Sequence, residues 1–123
     1  MRFKNPGRDF YLKIDDENDT FWAYLINNKN EIIADCWISN KSNIPQRDIH
    51  YYKDNKIPPP AREEFIERNM IMNSDDSIFV KWNDQLEEVS ININGENCIK
   101  FSYSKNRGFN KYLKRSFPWG NKW

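Results

Sequence analysis

Histidine, cysteine and glycine are scarce in this chain. It holds one histidine, His50, two cysteines, Cys36 and Cys98, and four isolated glycines. That is too thin a supply of nitrogen and sulfur ligands for a structural zinc site. A cysteine nucleophile needs a base to take its proton. Only His50 is on offer, and both cysteines lie in apolar, strand-like runs. The expectation is two buried thiols, not a catalytic pair or a disulfide. Isolated glycines do not build a phosphate-cradling loop. No apolar run approaches the roughly 18 residues of a membrane-crossing helix. Residues 1–9 carry no hydrophobic signal core, so a cytoplasmic protein with no membrane contact is expected. Asp15-Asp16-Glu17-Asn18-Asp19 spaces oxygens as a calcium loop does, but Thr20 stands where glycine is required and Ile26 where glutamate is required. It reads as a turn. Any two of the 18 acids could pair in space as in a glycosidase, yet no spacing favours it. No catalytic residue, metal or cofactor is expected, and the chain does not read as an enzyme.

What is present suits a single domain, 1–123, with a real core: 15% of residues are aromatic and 30% are charged. Phe10, Leu12 and Ile14 alternate as on a strand. Residues 20–26 and 31–38 read as strands joined by a hairpin at Asn27-Asn28-Lys29-Asn30. Pairing Ile26 with Glu31 sets Leu25 opposite Ile32, Ala23 opposite Ala34 and Phe21 opposite Cys36. The other face holds Trp22, Tyr24, Ile26, Ile33, Asp35 and Trp37. Both faces are largely apolar, so this hairpin is expected either to be covered on both sides or to sit in a strongly curved sheet. Residues 39–59 have no period and read as a long connection containing His50.

Pro58-Pro59-Pro60 then leads into the one stretch with helical character. Proline is at home at a first helical position, and Glu63, Glu64 and Glu67 suit the positive end of a helix dipole. Ala61, Phe65 and Met72 share a roughly 40° arc at about 100° per residue. A helix from Pro60 to Met72 is expected, although Met70-Ile71-Met72 could equally begin a strand, with the proline run as its lead-in and not a polyproline ligand. Strands resume at 77–82 and 86–93, where Lys81 would face Glu87 and Phe79 would face Val89. Asn94-Gly95 is the strongest turn signal. A three-residue connection there, with a bulge near Gly95, pairs Ile91 with Ile99 and Val89 with Phe101. Residues 98–103 make a sixth strand, 109–113 a short seventh, and 117–123 a tail. The expected fold is α+β: an antiparallel sheet of six to seven strands, ordered βββ-α-βββ(β), with one main helix packed on it.

Charge is unevenly spread. Residues 1–60 balance, 61–100 carry a net −5, and 101–123 a net +6, within a total of +1. Two candidate surfaces follow. Glu63, Glu64, Glu67, Asp75, Asp76, Asp84, Glu87 and Glu88 would suit a basic protein partner. Arg107, Lys111, Lys114, Arg115, Trp119 and Trp123 mix cations with rings, as single-stranded nucleic-acid binders do.

In overall character the chain resembles the small cytosolic immunity proteins that bacteria pair with secreted toxins. The likeness rests on a short single domain, Asn/Lys/Ile-rich usage, an excess of tryptophan and tyrosine, and no catalytic motif. It implies a tight complex with a cognate toxin domain that occludes its active site or a nearby surface. Immunity proteins share no motif, so no residue is carried over. The nearly neutral net charge departs from the acidic immunity proteins of basic nucleases and leaves the toxin's chemistry open.

Overall fold

The computed structural model describes residues 1–17, 20–40, 61, 63–67, 76–116 and 121–123. Nine strands make two sheets. The first has the order β1 (Arg2–Lys4), β2 (Phe10–Glu17), β3 (Thr20–Asn27), β4 (Ile32–Asn40). The second has the order β5 (Ile78–Asn83), β6 (Glu88–Ile93), β7 (Glu96–Ser102), β8 (Arg107–Asn110), β9 (Asn121–Lys122). Pairing is antiparallel throughout except between β8 and β9, which run parallel.

The α+β expectation is therefore wrong: the described chain is all β, with two sheets in place of one and no main helix. Of the helix expected from Pro60 to Met72, residues 60, 62 and 68–72 lie outside the described residues. The rest forms a single 3-10 turn, Glu63–Phe65, followed by a β-bridge between Ile66 and Leu113. Backbone bonds from Glu67 N to Tyr112 O (2.6 Å) and from Lys114 N to Phe65 O (2.7 Å) hold this segment in an extended docking. Such bonds leave no room for the i→i−4 ladder of an α-helix. The helical period of Ala61 and Phe65 was satisfied another way: both sides of the 3-10 turn face the same apolar cluster.

Three turns set the registers. Asn94 and Gly95 both take positive φ, 52° and 84°, the signature of a two-residue hairpin that twists with its strands. The connection is thus two residues, not the expected three: it pairs Ile93 with Glu96, and a bulge between Ile91 and Asn92, not near Gly95, restores the expected pairs Ile91 with Ile99 and Val89 with Phe101. The β5–β6 turn differs from expectation. It includes Glu87 at φ 55°, a conformation glutamate seldom adopts. Lys81 therefore faces Ser90, Phe79 faces Asn92, and Trp82 faces Val89. The β3–β4 register is also longer than expected: Ala23 faces Cys36 and Leu25 faces Ala34. Asn27 closes this turn, its Oδ1 accepting from the backbone N–H groups of Lys29 and Glu31, both at 2.9 Å. A shift of two residues leaves the faces unchanged, so the expected division of β3 holds. A bulge beside Ile26 then exposes Ile32 and turns Ile33 inward. β1 and β9 were not expected at all. Asp15–Glu17, read as part of a turn, extends β2.

The sheets share one core. Leu12, Ile14, Ala23, Leu25, Ala34, Cys36 and Ile38 from the first pack with Val89, Ile91, Ile93, Cys98, Ile99 and Phe101 from the second. Cys36 and Cys98 are buried free thiols, as expected. A second cluster covers the back of the first sheet: Trp22, Tyr24, Ile26 and Trp37 meet Ala61 and Leu113, with Phe65 and Ile66 beside them. The β3–β4 hairpin is thus covered on both faces, which explains its apolar residues at successive positions.

Three buried asparagines pin the connections, because an amide offers donors and an acceptor together. Asn40 Oδ1 accepts from Trp37 Nε1 (3.0 Å) and from Ala61 N (2.9 Å), and its Nδ2 donates to Ala61 O (2.8 Å). Asn110 Nδ2 donates to Trp37 O and Ile38 O. Asn5 Nδ2 donates to Asp84 Oδ1 (2.9 Å), and Asn5 Oδ1 accepts from Gly7 N (2.8 Å). Among the described residues no helix is long and apolar enough to cross a membrane.

Candidate functional site

The outer face of the second sheet is built by alternation. On β5 and β6 the inward positions are Ile78, Val80, Trp82, Val89, Ile91 and Ile93, which leaves Phe79, Lys81, Glu88, Ser90 and Asn92 facing out. On β7 and β8 the outward set includes Lys100, Arg107 and Phe109. Pairing lines up Lys81, Ser90, Lys100, Phe109 and Asn121 in one transverse row across all five strands. The row beside it holds Asn83, Glu88, Ser102 and Arg107. Phe79, on the edge strand of this sheet, is 64% exposed.

One corner of this face is ordered by cation–π contact. Lys100 Nζ stands 5.5 Å from the Phe109 ring centroid and 5.2 Å from that of Trp123. Trp123 is held there by its backbone N–H, which donates to Asn110 O (3.2 Å). Asn121 Nδ2 donates to Gly108 O (3.0 Å). Trp123 was an expected site residue, but Phe79, Lys81 and Lys100 were not. The alternation of β5 was visible in the sequence, yet choosing its outer face needed the register that the β5–β6 turn sets.

The acidic residues do not gather. Glu64 and Glu67 lie on the segment covering the back of the first sheet, with Glu64 Oε2 4.0 Å from Arg115. Asp76 precedes β5, where it accepts from Asn94 Nδ2 (3.0 Å). Asp84, Glu87 and Glu88 stand at the opposite end of β5. There Arg8 approaches Asp84 (3.9 Å) and Glu87 (4.0 Å). Asp75 and the Glu63 side chain lie outside the described set.

The expected basic residues are dispersed as well. Arg107 opens β8, and Lys111, just past its other end, pairs with Glu96 (3.1 Å). Arg115 lies over the Phe65 ring at 4.9 Å, close to Glu64. Lys114 sits beside it, and Trp119 lies outside the described residues. Half the cations of this set are therefore engaged with carboxylates, which weakens the field a phosphate backbone would feel.

Two open clefts mark the surface. One, of about 380 Å³, is lined by Arg2, Lys4, Asp9, Phe10, Tyr11 and Asn28. The other, of about 220 Å³, lies where β4 meets β8 and includes Asp35, Asn106, Arg107 and Asn121. Among the described residues, each is lined by one carboxylate and by no histidine or cysteine. Burial pushes the Asp35 carboxyl above its ordinary pKa, against a smaller opposing effect of its own backbone hydrogen bond. Among the described residues no three of His, Cys, Asp and Glu cluster as a metal set. Burial pushes both thiols up, Cys98 to about 12, so neither forms a thiolate at neutral pH. His50 is outside the described residues. In comparison with known proteins, the chain matches no family model, no curated protein and no solved structure.

Proposed function

We propose that this chain is a non-enzymatic binding protein acting in the cytoplasm, most simply an immunity-type inhibitor that neutralises a cognate bacterial toxin by occlusion. The contact surface in this reading is the outer face of the second sheet. The observation that carries it is Phe79, 64% exposed on a regular strand whose flanking outward residues are polar. A ring of this size is an anchor for a partner pocket, and a few such anchors supply most of the energy of a protein interface. The surrounding Lys81, Ser90, Asn92 and Asn97 make a polar rim.

Single-stranded nucleic acid is the rival occupant. A stacking platform presents open ring faces. Here Lys100 stands against both Phe109 and Trp123, and Lys111 and Arg115 are spent on Glu96 and Glu64. The protein-partner reading therefore has the better support.

The test is co-expression with the product of the neighbouring reading frame. A stable complex by size exclusion, and rescue of cells from that product, is the expected result. Phe79→Ser should weaken both without changing the melting temperature. If no complex forms and no rescue occurs, the reading fails.

A further inference from the structure

We infer that the partner's contact surface is acidic. The inference rests on the reading above and adds the chemistry of the partner to it. Three cations, Lys81, Lys100 and Arg107, point outward on the second sheet's open face, against one carboxylate, Glu88. Lys81 and Lys100 occupy the same transverse row two strands apart, with Ser90 between them, so their Cα atoms are separated by about 10 Å. Arg107 sits in the adjacent row, directly opposite Ser102. Among the described residues, Lys81 and Arg107 have no ion-pair partner, and both are exposed.

Several cations away from this face are paired. At the β5–β6 turn Arg8 meets Asp84 and Glu87. Beyond β8 Lys111 meets Glu96, and Arg115 meets Glu64. Lys13 meets Asp15 at 3.0 Å. Those four cations are answered within the chain, while among the described residues the open face keeps a surplus of two. Lys100 is also pre-ordered: the rings of Phe109 and Trp123 hold its ammonium, so less side-chain entropy is lost when a carboxylate meets it. The complementary partner is a protein patch with two or three carboxylates spaced about 10 Å apart around an apolar hollow for Phe79. Charge of this kind steers encounter and discriminates against basic partners.

The experiment measures association of the purified neighbouring-frame product with this chain at low and high NaCl, for wild type, Lys81→Glu, Arg107→Glu and Phe79→Ser. Circular dichroism and melting establish that each variant is folded. The expected result is that each charge reversal slows association roughly 3- to 10-fold, with the effect shrinking in salt. Phe79→Ser should act chiefly on dissociation. A complex whose association rate ignores the reversals and the salt overturns the acidic-partner inference but leaves the proposed function standing. Faster association on reversal overturns it too and points to a basic partner. No complex with wild type overturns both. Tight, steeply salt-dependent binding of oligo(dT), lost in the same variants, overturns both in favour of nucleic acid.

Discussion

Asn110 Nδ2 donates to the carbonyl oxygens of Trp37 (2.8 Å) and Ile38 (3.1 Å). One fully buried side-chain amide thereby joins β8 of the second sheet to β4 of the first. Its Oδ1 accepts from Tyr112 N (2.8 Å), so all its polar capacity is directed at backbone. Asn110→Ala leaves two carbonyls and one N–H without this partner in the interior. A loss of about 2–4 kcal/mol is expected, read as a lower midpoint in urea. An unchanged midpoint would mean that the seam is held by other contacts.

Gly108 and Gly95 are predicted to respond differently to alanine. A Cβ at Gly108 would lie 2.7 Å from Asp35 O, from Cys36 Cβ and from Phe101 Cε1. Two of these belong to the facing strand β4, so the seam must widen. Gly108→Ala should cost at least about 2 kcal/mol. Gly95 has open space around it and only its φ of 84° to protect, and alanine there should cost about 1 kcal/mol. Thermal melts of the two variants give the comparison. Equal losses would contradict the close approach of β8 to β4.

The thiols and Tyr103 predict a loss of stability in alkali. Burial raises Cys98 to about 12 and Cys36 well above its ordinary 9.0. Tyr103 is raised by burial first, then by the Asp84 charge and the hydrogen bond to it. In each case the folded state holds its proton more tightly than the unfolded chain. The contribution is complete below the unfolded value and is lost as pH climbs through the folded one. Stability should therefore decline from about pH 9 upward, and more steeply above about pH 10 as Tyr103 joins. In Cys98→Ala the slope between pH 9 and 10 should be shallower, whatever the offset at neutral pH. A thiol reagent should meanwhile find no reactive cysteine in the native protein and two after unfolding.

Asn40 is predicted to control the segment that covers the back of the first sheet. Its amide forms both hydrogen bonds to the Ala61 backbone. Asn40→Ala should raise hydrogen exchange at the backbone amides of Ala61 and Glu67 more than at those of Val89 or Phe101. Trp22 and Trp37, at present fully buried, should shift their emission to the red. A uniform rise in exchange across both sheets would instead indicate global destabilisation.

What could be read from the sequence depended on how local the cause was. The β6–β7 hairpin was legible because Asn94 and Gly95 carry their turn preference in themselves, and a slip there would have put Val89 against Lys100. The two apolar faces of β3 were legible because Trp22, Tyr24 and Ile26 alternate with Phe21, Ala23 and Leu25. The β5–β6 register was not, since Glu87 adopts a positive φ that glutamate does not advertise. β1 and β9 are too short for a period to appear. The supposed helix failed for a tertiary reason. Ala61, Phe65 and three early glutamates satisfy helical rules, but Asn40 and Leu113, distant in sequence, capture the segment in extended form. Phe79 and Lys81 were visible as strand residues, while their joint place on an open face came from pairing alone.

The two sheets are fastened at opposite margins. Asn110 closes the β4–β8 side, and on the β1–β5 side Asn5 Nδ2 reaches Asp84 Oδ1 (2.9 Å) and Tyr103 Oη (3.5 Å). Neither fastening is a backbone ladder; Asn110 is the carboxamide at one, and at the other Asn5 is joined by Arg8, which reaches Asp84 and Glu87. Besides the shared apolar core, the assembly therefore has one polar fastening at each margin. Releasing Asn5 would let the domain gape on the side of the exposed Phe79 strand, and releasing Asn110 would let it gape on the side of the Lys100 stack. Asparagine, among the commonest residues here and easily dismissed as surface filler, thus sets which flank of the molecule can yield.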